Sequence, residues 1–158
     1  MTVDAELFRN LLRHQASTVT VVTAPGTPPV GFTATSFTSV SLHPPLVSFC
    51  LNRASSSWPT VASAEHLAVH LLAADQHELA RRFATSGIDR FAGPTRWRPG
   101  PHGVPLLDAA LAQLICRVVD RVPAGDHVIV LAAPLLADHL DKGAPLLYHQ
   151  GRYANLAA

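Results

Sequence analysis

Between Gly31 and Ser41 the chain reads Gly-Phe-Thr-Ala-Thr-Ser-Phe-Thr-Ser-Val-Ser, six hydroxyl side chains in eleven positions. A strand core has no need of so many. Hydroxyls and backbone amides at that density suit a ligand rich in hydrogen-bond acceptors, such as a polyhydroxylated chain or a phosphate. The alternative is an edge strand that turns its Thr and Ser residues to solvent. Asn52-Arg53-Ala54-Ser55-Ser56-Ser57 runs into Trp58-Pro59, the pattern of a serine-capped helix with proline in its first turn. Free N–H groups and hydroxyls there would favour a phosphate, or would do no more than cap the helix. Gly125-Asp126-His127 follows a Pro-Ala pair, where a turn could present a titratable imidazole to a cleft or be a turn and nothing else.

Other chemistries lack their residues. No Gly-x-Ser-x-Gly elbow anchors a hydrolase triad, and no Gly-x-Gly-x-x-Gly opens a dinucleotide-binding βαβ unit. The eleven acids are dispersed, with no evident carboxylate pair for glycoside chemistry. Among nine histidines, His66 and His70 would share one face of a strand or a helix, but no third ligand stands nearby and no metal is expected. Cys50 and Cys116 are far apart, form no CxxC pair, and read as buried thiols. A formal net charge of +1 with scattered Arg offers no basic stripe for nucleic acid.

The elements that must position these groups follow from the pattern. Asp4 is a plausible cap for an amphipathic helix through Leu7, Phe8, Leu11 and Leu12 that should end near Ser17. Thr18 to Thr23 is β-branched throughout and stops at Pro25-Gly26, predicting a strand paired with Val30 to Ser36. Val40 to Leu42 and Leu46 to Asn52 are strand material bent at His43-Pro44-Pro45, since two prolines cannot sit inside a paired ladder. A short helix through Ala64, a strand Leu67 to Ala73, and a helix Leu79 to Ala84 opened by a capping box at Asp75-Gln76-His77-Glu78 come next. Residues 86–105 are rich in Gly, Pro and Arg and read as a long loop. Ala110 to Val122 and Asp126 to Asp138 predict two long antiparallel strands, with Leu146 to His149 closing the sheet.

Strands in succession with short helices and no βαβ alternation argue for a mainly β protein, a β-barrel, over a doubly wound sheet. At 158 residues without repeats or a linker, one domain over 1–158 is expected. Hydrophobic residues at 48 % against 15 % charged suggest that some apolar surface is buried between subunits. The longest apolar stretch, Val128 to Ala137, is about half of what a spanning helix needs, and no secretory signal precedes Asp4, so no membrane association and a cytoplasmic location are expected.

Taken in order, these segments resemble the flavin reductase-like family with its flavin-binding split β-barrel, the small components of two-component flavin monooxygenases. The resemblance runs from Phe8–His14 and Thr18–Thr23 through Gly31–Ser41, Pro44-Pro45-Leu46-Val47 and Leu51–Ser55. It continues over Leu67–Leu72, Gln76 with Leu79–Ala84, Asp89-Arg90-Phe91, Gly103–Leu107, Gly125-Asp126-His127, Pro145–Tyr148 and Gly151-Arg152-Tyr153. It departs where the family's Thr-Ala-Asn-Ser reads Thr33-Ala34-Thr35-Ser36, and where a Val-Asn-Leu-like strand carries His70 in place of Asn.

The resemblance implies a Greek-key-like split barrel and a homodimer with flavin near the subunit interface. Flavin would be held by residues matching Thr33, Ala34, Thr35 and Ser36, with Ser39, by Cys50, Leu51 and Asn52, and by Ser55 to Ser57, with Phe83 beside them. Gly125, Asp126 and His127 match the motif placed near the nicotinamide, His127 in the steadying role and Tyr153 a lesser candidate. The implied activity is an NAD(P)H:flavin oxidoreductase acting on freely exchanging FMN or FAD, with NADH preferred to NADPH on family habit. It passes hydride from nicotinamide C4 to flavin N5 and feeds reduced flavin to a partner monooxygenase; the protein mainly orients the two rings. The competing reading is a non-catalytic flavin carrier or sensor on the same barrel, against which Gly125-Asp126-His127 argues.

Overall fold

The computed structural model describes residues 2–157. Helix α1, Ala5–Leu12, is followed by the short strand β1, Ser17–Thr18, and by β2, Thr20–Ala24. Pro25 to Pro29 turn the chain into β3, Val30–Ala34. β4, Thr38–Leu42, and β5, Pro45–Asn52, form a hairpin around His43-Pro44, so the ladder breaks where the sequence removes a donor. Next come α2, Trp58–Ser63; β6, His66–Leu71; and α3, His77–Arg82. A small hairpin of β7, Trp97–Pro99, and β8, Pro105–Leu107, precedes the long strands β9, Ala112–Ala124, and β10, His127–His139. β11, Leu147–His149, and β12, Arg152–Ala154, end the chain.

Seven strands form one antiparallel sheet in the order β3-β2-β6-β9-β10-β5-β4, so that strands consecutive in sequence, β3 and β4, lie at opposite edges. The sheet curls until β3 faces β5: Phe32 and Phe49 meet with ring centroids 5.9 Å apart. No ladder closes that seam; the Ser36 hydroxyl accepts the Cys50 N–H at 2.8 Å instead, leaving the barrel split there. Inside it, Val22, Phe32, Val47, Phe49, Leu67, Val69 and Val130 make the main core.

Every residue of β2 is buried, which explains the β-branched Thr20–Thr23, but the strand expected over Thr18–Thr23 is divided at Val19, Thr18 pairing with β11 in another sheet. Val22 and Ala24 face the barrel interior, while Val21, with Val19, packs outside it against Leu72, Ala80, Phe83, Leu107 and Leu146. His70, also fully buried, joins the two layers: its Nδ1–H donates to the Val21 carbonyl and its Nε2 accepts the Leu107 N–H, both at 3.0 Å. That assigns the role the sequence left open, a clamp between β2, β6 and β8.

Several expectations are corrected. Residues 86–105 are not structureless, because Trp97–Pro99 pairs with Pro105–Leu107, strands too short to show a period. The Asp75 capping box does not form; Gln76 is the cap position, and its side chain instead accepts the Ala73 N–H and donates to the Asp108 carbonyl. α1 stops at Leu12, short of Ser17, and buries none of its residues within the chain. Leu147–His149 does not join the main sheet but pairs with β1 and β12 in a separate three-stranded one. Cys116 is buried, with its thiol pushed up to about 12 by desolvation, but Cys50 is only half-buried. Among the described residues no helix is long and apolar enough to cross a membrane.

Candidate functional site

The seam between β3 and β5 opens into a cleft of about 380 Å³. β3 and its exit supply Thr33, Ala34, Thr35 and Ser36; the end of β5 and the turn after it supply Cys50, Leu51, Asn52 and Ser55; Phe83 comes from the end of α3 and His127 from the start of β10. His127 arrives there through register, since it pairs with Asn52 across the β5–β10 ladder.

The hydroxyls divide by what they already do. Thr33 donates to the Ala80 carbonyl at 2.6 Å while its N–H donates to the Phe83 carbonyl at 3.1 Å, fastening β3 to α3. Ser36 is engaged by Cys50 across the seam. Thr35, exposed, and Ser55 remain to donate to a ligand. Asn52 Oδ1 accepts the Ala54 N–H at 2.8 Å, so its amide orientation is set and its Nδ2 stays a donor at the wall.

α2 departs from expectation. Ser57 N–H is taken by Ser55 Oγ, Trp58 N–H by the Ser55 carbonyl, and residue 59 is proline, so the amides expected to cradle a phosphate are spent locally. Ser57 itself is buried, its hydroxyl directed at the Gly31 carbonyl at 3.4 Å, outside the cleft that holds Ser55.

Gly125-Asp126-His127 sits at the cleft mouth. His127 Nδ1–H donates to Asp126 Oδ1 at 2.7 Å, and this hydrogen bond above all holds the Asp126 carboxyl below the usual carboxylate range. Fixing the proton on Nδ1 leaves Nε2 as the free ring nitrogen. Gly125, at φ +62°, turns the chain between β9 and β10 and has open space around it. Arg53 braces this turn: its guanidinium donates to the Gly125 carbonyl and its N–H to the Asp126 carbonyl.

Ser39 and Tyr153 lie elsewhere. Ser39 is exposed on β4, and Tyr153 lines a separate cleft with Arg81, Tyr148 and Arg152, its phenol raised by burial first and then by Tyr148. Missed by the sequence reading were Phe32, Ala84 and Arg90 among the lining residues, and Arg53 as the brace. Asp89-Arg90-Phe91 had marked Arg90 only as part of an ordered pattern; nothing local showed that it reaches back to Gly31. Its guanidinium donates from Nη1 to the Gly31 carbonyl at 2.6 Å and from Nε to the Thr85 carbonyl at 3.0 Å.

The donor set, Arg90 with Asn52 Nδ2 and the hydroxyls of Thr35 and Ser55, fits an acceptor-rich heterocycle with a phosphate tail, a flavin among them. Among the described residues no three metal-ligating side chains gather. Gly31 is required beside the cleft: a Cβ there would lie 2.7 Å from the Phe83 ring, which is fully buried against Phe91. Gly31→Ala is expected to cost about 1–3 kcal/mol by overpacking and to weaken ligand binding by displacing Phe83, read from urea midpoints and from titration of bound flavin.

Residues 12–157 match the model of the flavin reductase like domain. The chain is 46 % identical over 151 residues to a protein of Rhodococcus erythropolis called NADH:FMN oxidoreductase, covering 92 % of this chain and 79 % of that one. It is 34 % identical over 157 residues to the reductase subunit of a flavin-dependent monooxygenase of Mycobacterium tuberculosis, covering 98 % and 83 %. The structure of a Streptomyces globisporus NADH:FAD oxidoreductase in complex with NAD and FAD fragments superposes with a TM-score of 0.92 at 34 % identity, over 99 % of this chain and 97 % of that one. The split barrel, the cleft at its seam and these likenesses agree: this chain belongs to the flavin reductase like family.

Proposed function

We propose that the protein is an NAD(P)H:flavin oxidoreductase that takes its reducing equivalents from NADH and acts on freely exchanging FMN or FAD. The observation that carries this reading is the single cleft in which the hydroxyl strand, the Cys50–Ser55 segment and His127 converge. The relatives' names support it, pairing NADH with FMN in one and with FAD in another.

Bound flavin supplies the acceptor for the electrons that a nicotinamide carries. The chain's own residues bind and orient. Thr35, Asn52 Nδ2, Ser55 and Arg90 donate hydrogen bonds along the wall, and Phe83, held by Phe91, backs it. His127 presents Nε2 at the mouth, kept in one tautomer by the anionic Asp126, and steadies the nicotinamide. Gly125 and Arg53 keep that pair in place.

The reduced product goes to a flavin-dependent monooxygenase, as the names of the relatives that are reductase components suggest. We read the chain as one domain that works as a homodimer. The apolar face of α1, with Leu7, Phe8 and Leu11 all more than half exposed, supports this because nothing among the described residues covers it.

The decisive test is loss of NADH absorbance in air with purified protein and FMN or FAD, repeated with NADPH. Oxidation is expected only with flavin present, and faster with NADH. Flavin binding without turnover would replace this reading with the non-catalytic carrier or sensor.

A further inference from the structure

Asn52 and Ser55 line the cleft, but Arg53, between them in the chain, does not. Its guanidinium donates to the Gly125 carbonyl and its backbone N–H to the Asp126 carbonyl at 3.0 Å. One residue of the wall segment thus holds the turn that presents His127, while Asn52 pairs with His127 across the ladder. The segment is stiff in its own right, because Ser55 N–H donates to the Asn52 carbonyl at 3.0 Å and Ala54 N–H to Asn52 Oδ1 at 2.8 Å. Its far end is tied to the same hairpin: Arg121 of β9, half-buried, donates from its guanidinium to the Val61 and Ala64 carbonyls at the end of α2. Residues 52–64 and the β9–β10 hairpin are therefore joined at two places, by Arg121 on the strand and by Arg53, exposed, at the tip. Gly125 has open space around it and no side chain to wedge the turn, so the Arg53 bonds are what ties the turn itself to the wall.

A ligand that orders one of two bonded segments lowers the cost of ordering the other. We propose that Arg53 is a positioning residue that couples flavin occupancy to nicotinamide binding. Flavin held by Asn52 and Ser55 stiffens the wall, and the Arg53 bonds pass that restraint to the turn carrying His127. Each cofactor then strengthens the binding of the other by the same factor. This rests on the flavin reading of the cleft and adds an energetic link between its two ligands.

The test uses oxidised FMN with NAD+, which do not react with each other, so binding is read at equilibrium. FMN is titrated by fluorescence quenching, without NAD+ and with NAD+ in excess, into wild type, Arg53→Ala and Arg53→Lys; the series is repeated with FAD. NAD+ is expected to tighten flavin about fivefold in the wild type and less than about twofold in Arg53→Ala. Arg53→Lys, which keeps the charge and a donor for the Gly125 carbonyl, should restore most of the factor. Flavin affinity without NAD+ should stay within about twofold throughout, because Arg53 does not line the cleft, and in turnover the NADH KM of Arg53→Ala should rise more than kcat falls. The backbone bond to Asp126 and the Arg121 contacts remain in every variant, so folding is retained, which circular dichroism checks; Arg53→Gln takes the place of the alanine variant should that one unfold. A factor near one in the wild type overturns the proposal, and so does a fivefold factor that survives in Arg53→Ala, which would leave Arg53 a merely structural brace. A wild type that binds neither flavin overturns instead the reading on which it rests.

Discussion

Replacing His127 by Ala is expected to lower kcat/KM for NADH by tenfold or more, about 1.4 kcal/mol or more of lost stabilisation, while flavin affinity changes less than about threefold. The separation follows from placement. The His127 side chain stands at the cleft mouth, 41 % exposed, and its Nδ1 is engaged by Asp126 outside the wall formed by Thr35, Ser55 and Arg90. Asp126→Asn probes the same unit more gently, because it keeps the hydrogen-bonding partner but removes the charge that stabilises one tautomer. Its effect should fall on NADH kinetics in the same direction and be smaller. Stopped-flow reduction of bound flavin, run beside flavin titrations, separates the two quantities. NADH kinetics unchanged in His127→Ala would remove the residue from the site.

The second large effect concerns stability and pH. Burial lowers His70 from 6.5 to about 4, only partly opposed by its bond to the Val21 carbonyl. The unfolded chain then binds a proton that the folded chain refuses, so stability is complete above about pH 6.5 and falls as the pH drops toward 4. At 1.36 kcal/mol for each tenfold of proton affinity, the full loss is about 3 kcal/mol, of which about 2 kcal/mol should be gone by pH 5. His70→Leu should cost about 2–4 kcal/mol at pH 7, since it strips partners from the Val21 carbonyl and the Leu107 N–H inside the fold. The variant also lacks the titration, so the gap between wild type and variant should narrow by about 2 kcal/mol from pH 7 to pH 5 in urea unfolding. A gap that stays constant would show that His70 is not held neutral.

Local pattern carried much of the architecture. The β-branched run at Thr18–Thr23, the proline at 44, and the two apolar stretches meeting at Gly125 each dictate an element through nearest-neighbour sterics and hydrogen-bonding capacity, although the first is divided at Val19 between two sheets and Pro45 already pairs at the start of β5. The Trp97–Pro99 and Pro105–Leu107 hairpin was illegible because three residues carry no period, and its pairing is stabilised from outside, by His70 on Leu107 and by Thr23 on the Pro105 carbonyl. The Asp75 cap failed for a related reason: Gln76, which reaches Asp108 far along the chain, fixes the start of α3 instead.

The sequence by itself determined which residue types were available for the cleft: the hydroxyl strand, the Cys50–Ser55 segment and the Gly-Asp-His turn. Only the tertiary structure decided how each was spent. Thr33 and Ser36 turn their hydroxyls to α3 and to the seam, the amides of Ser57 and Trp58 are consumed within their own turn, and Arg90 crosses from a distant loop to Gly31 and the cleft wall. A side chain's partners depend on which strands the curled sheet brings face to face, and that closure is set by burial of Phe32, Phe49 and their neighbours across the whole chain, which no local stretch of sequence contains.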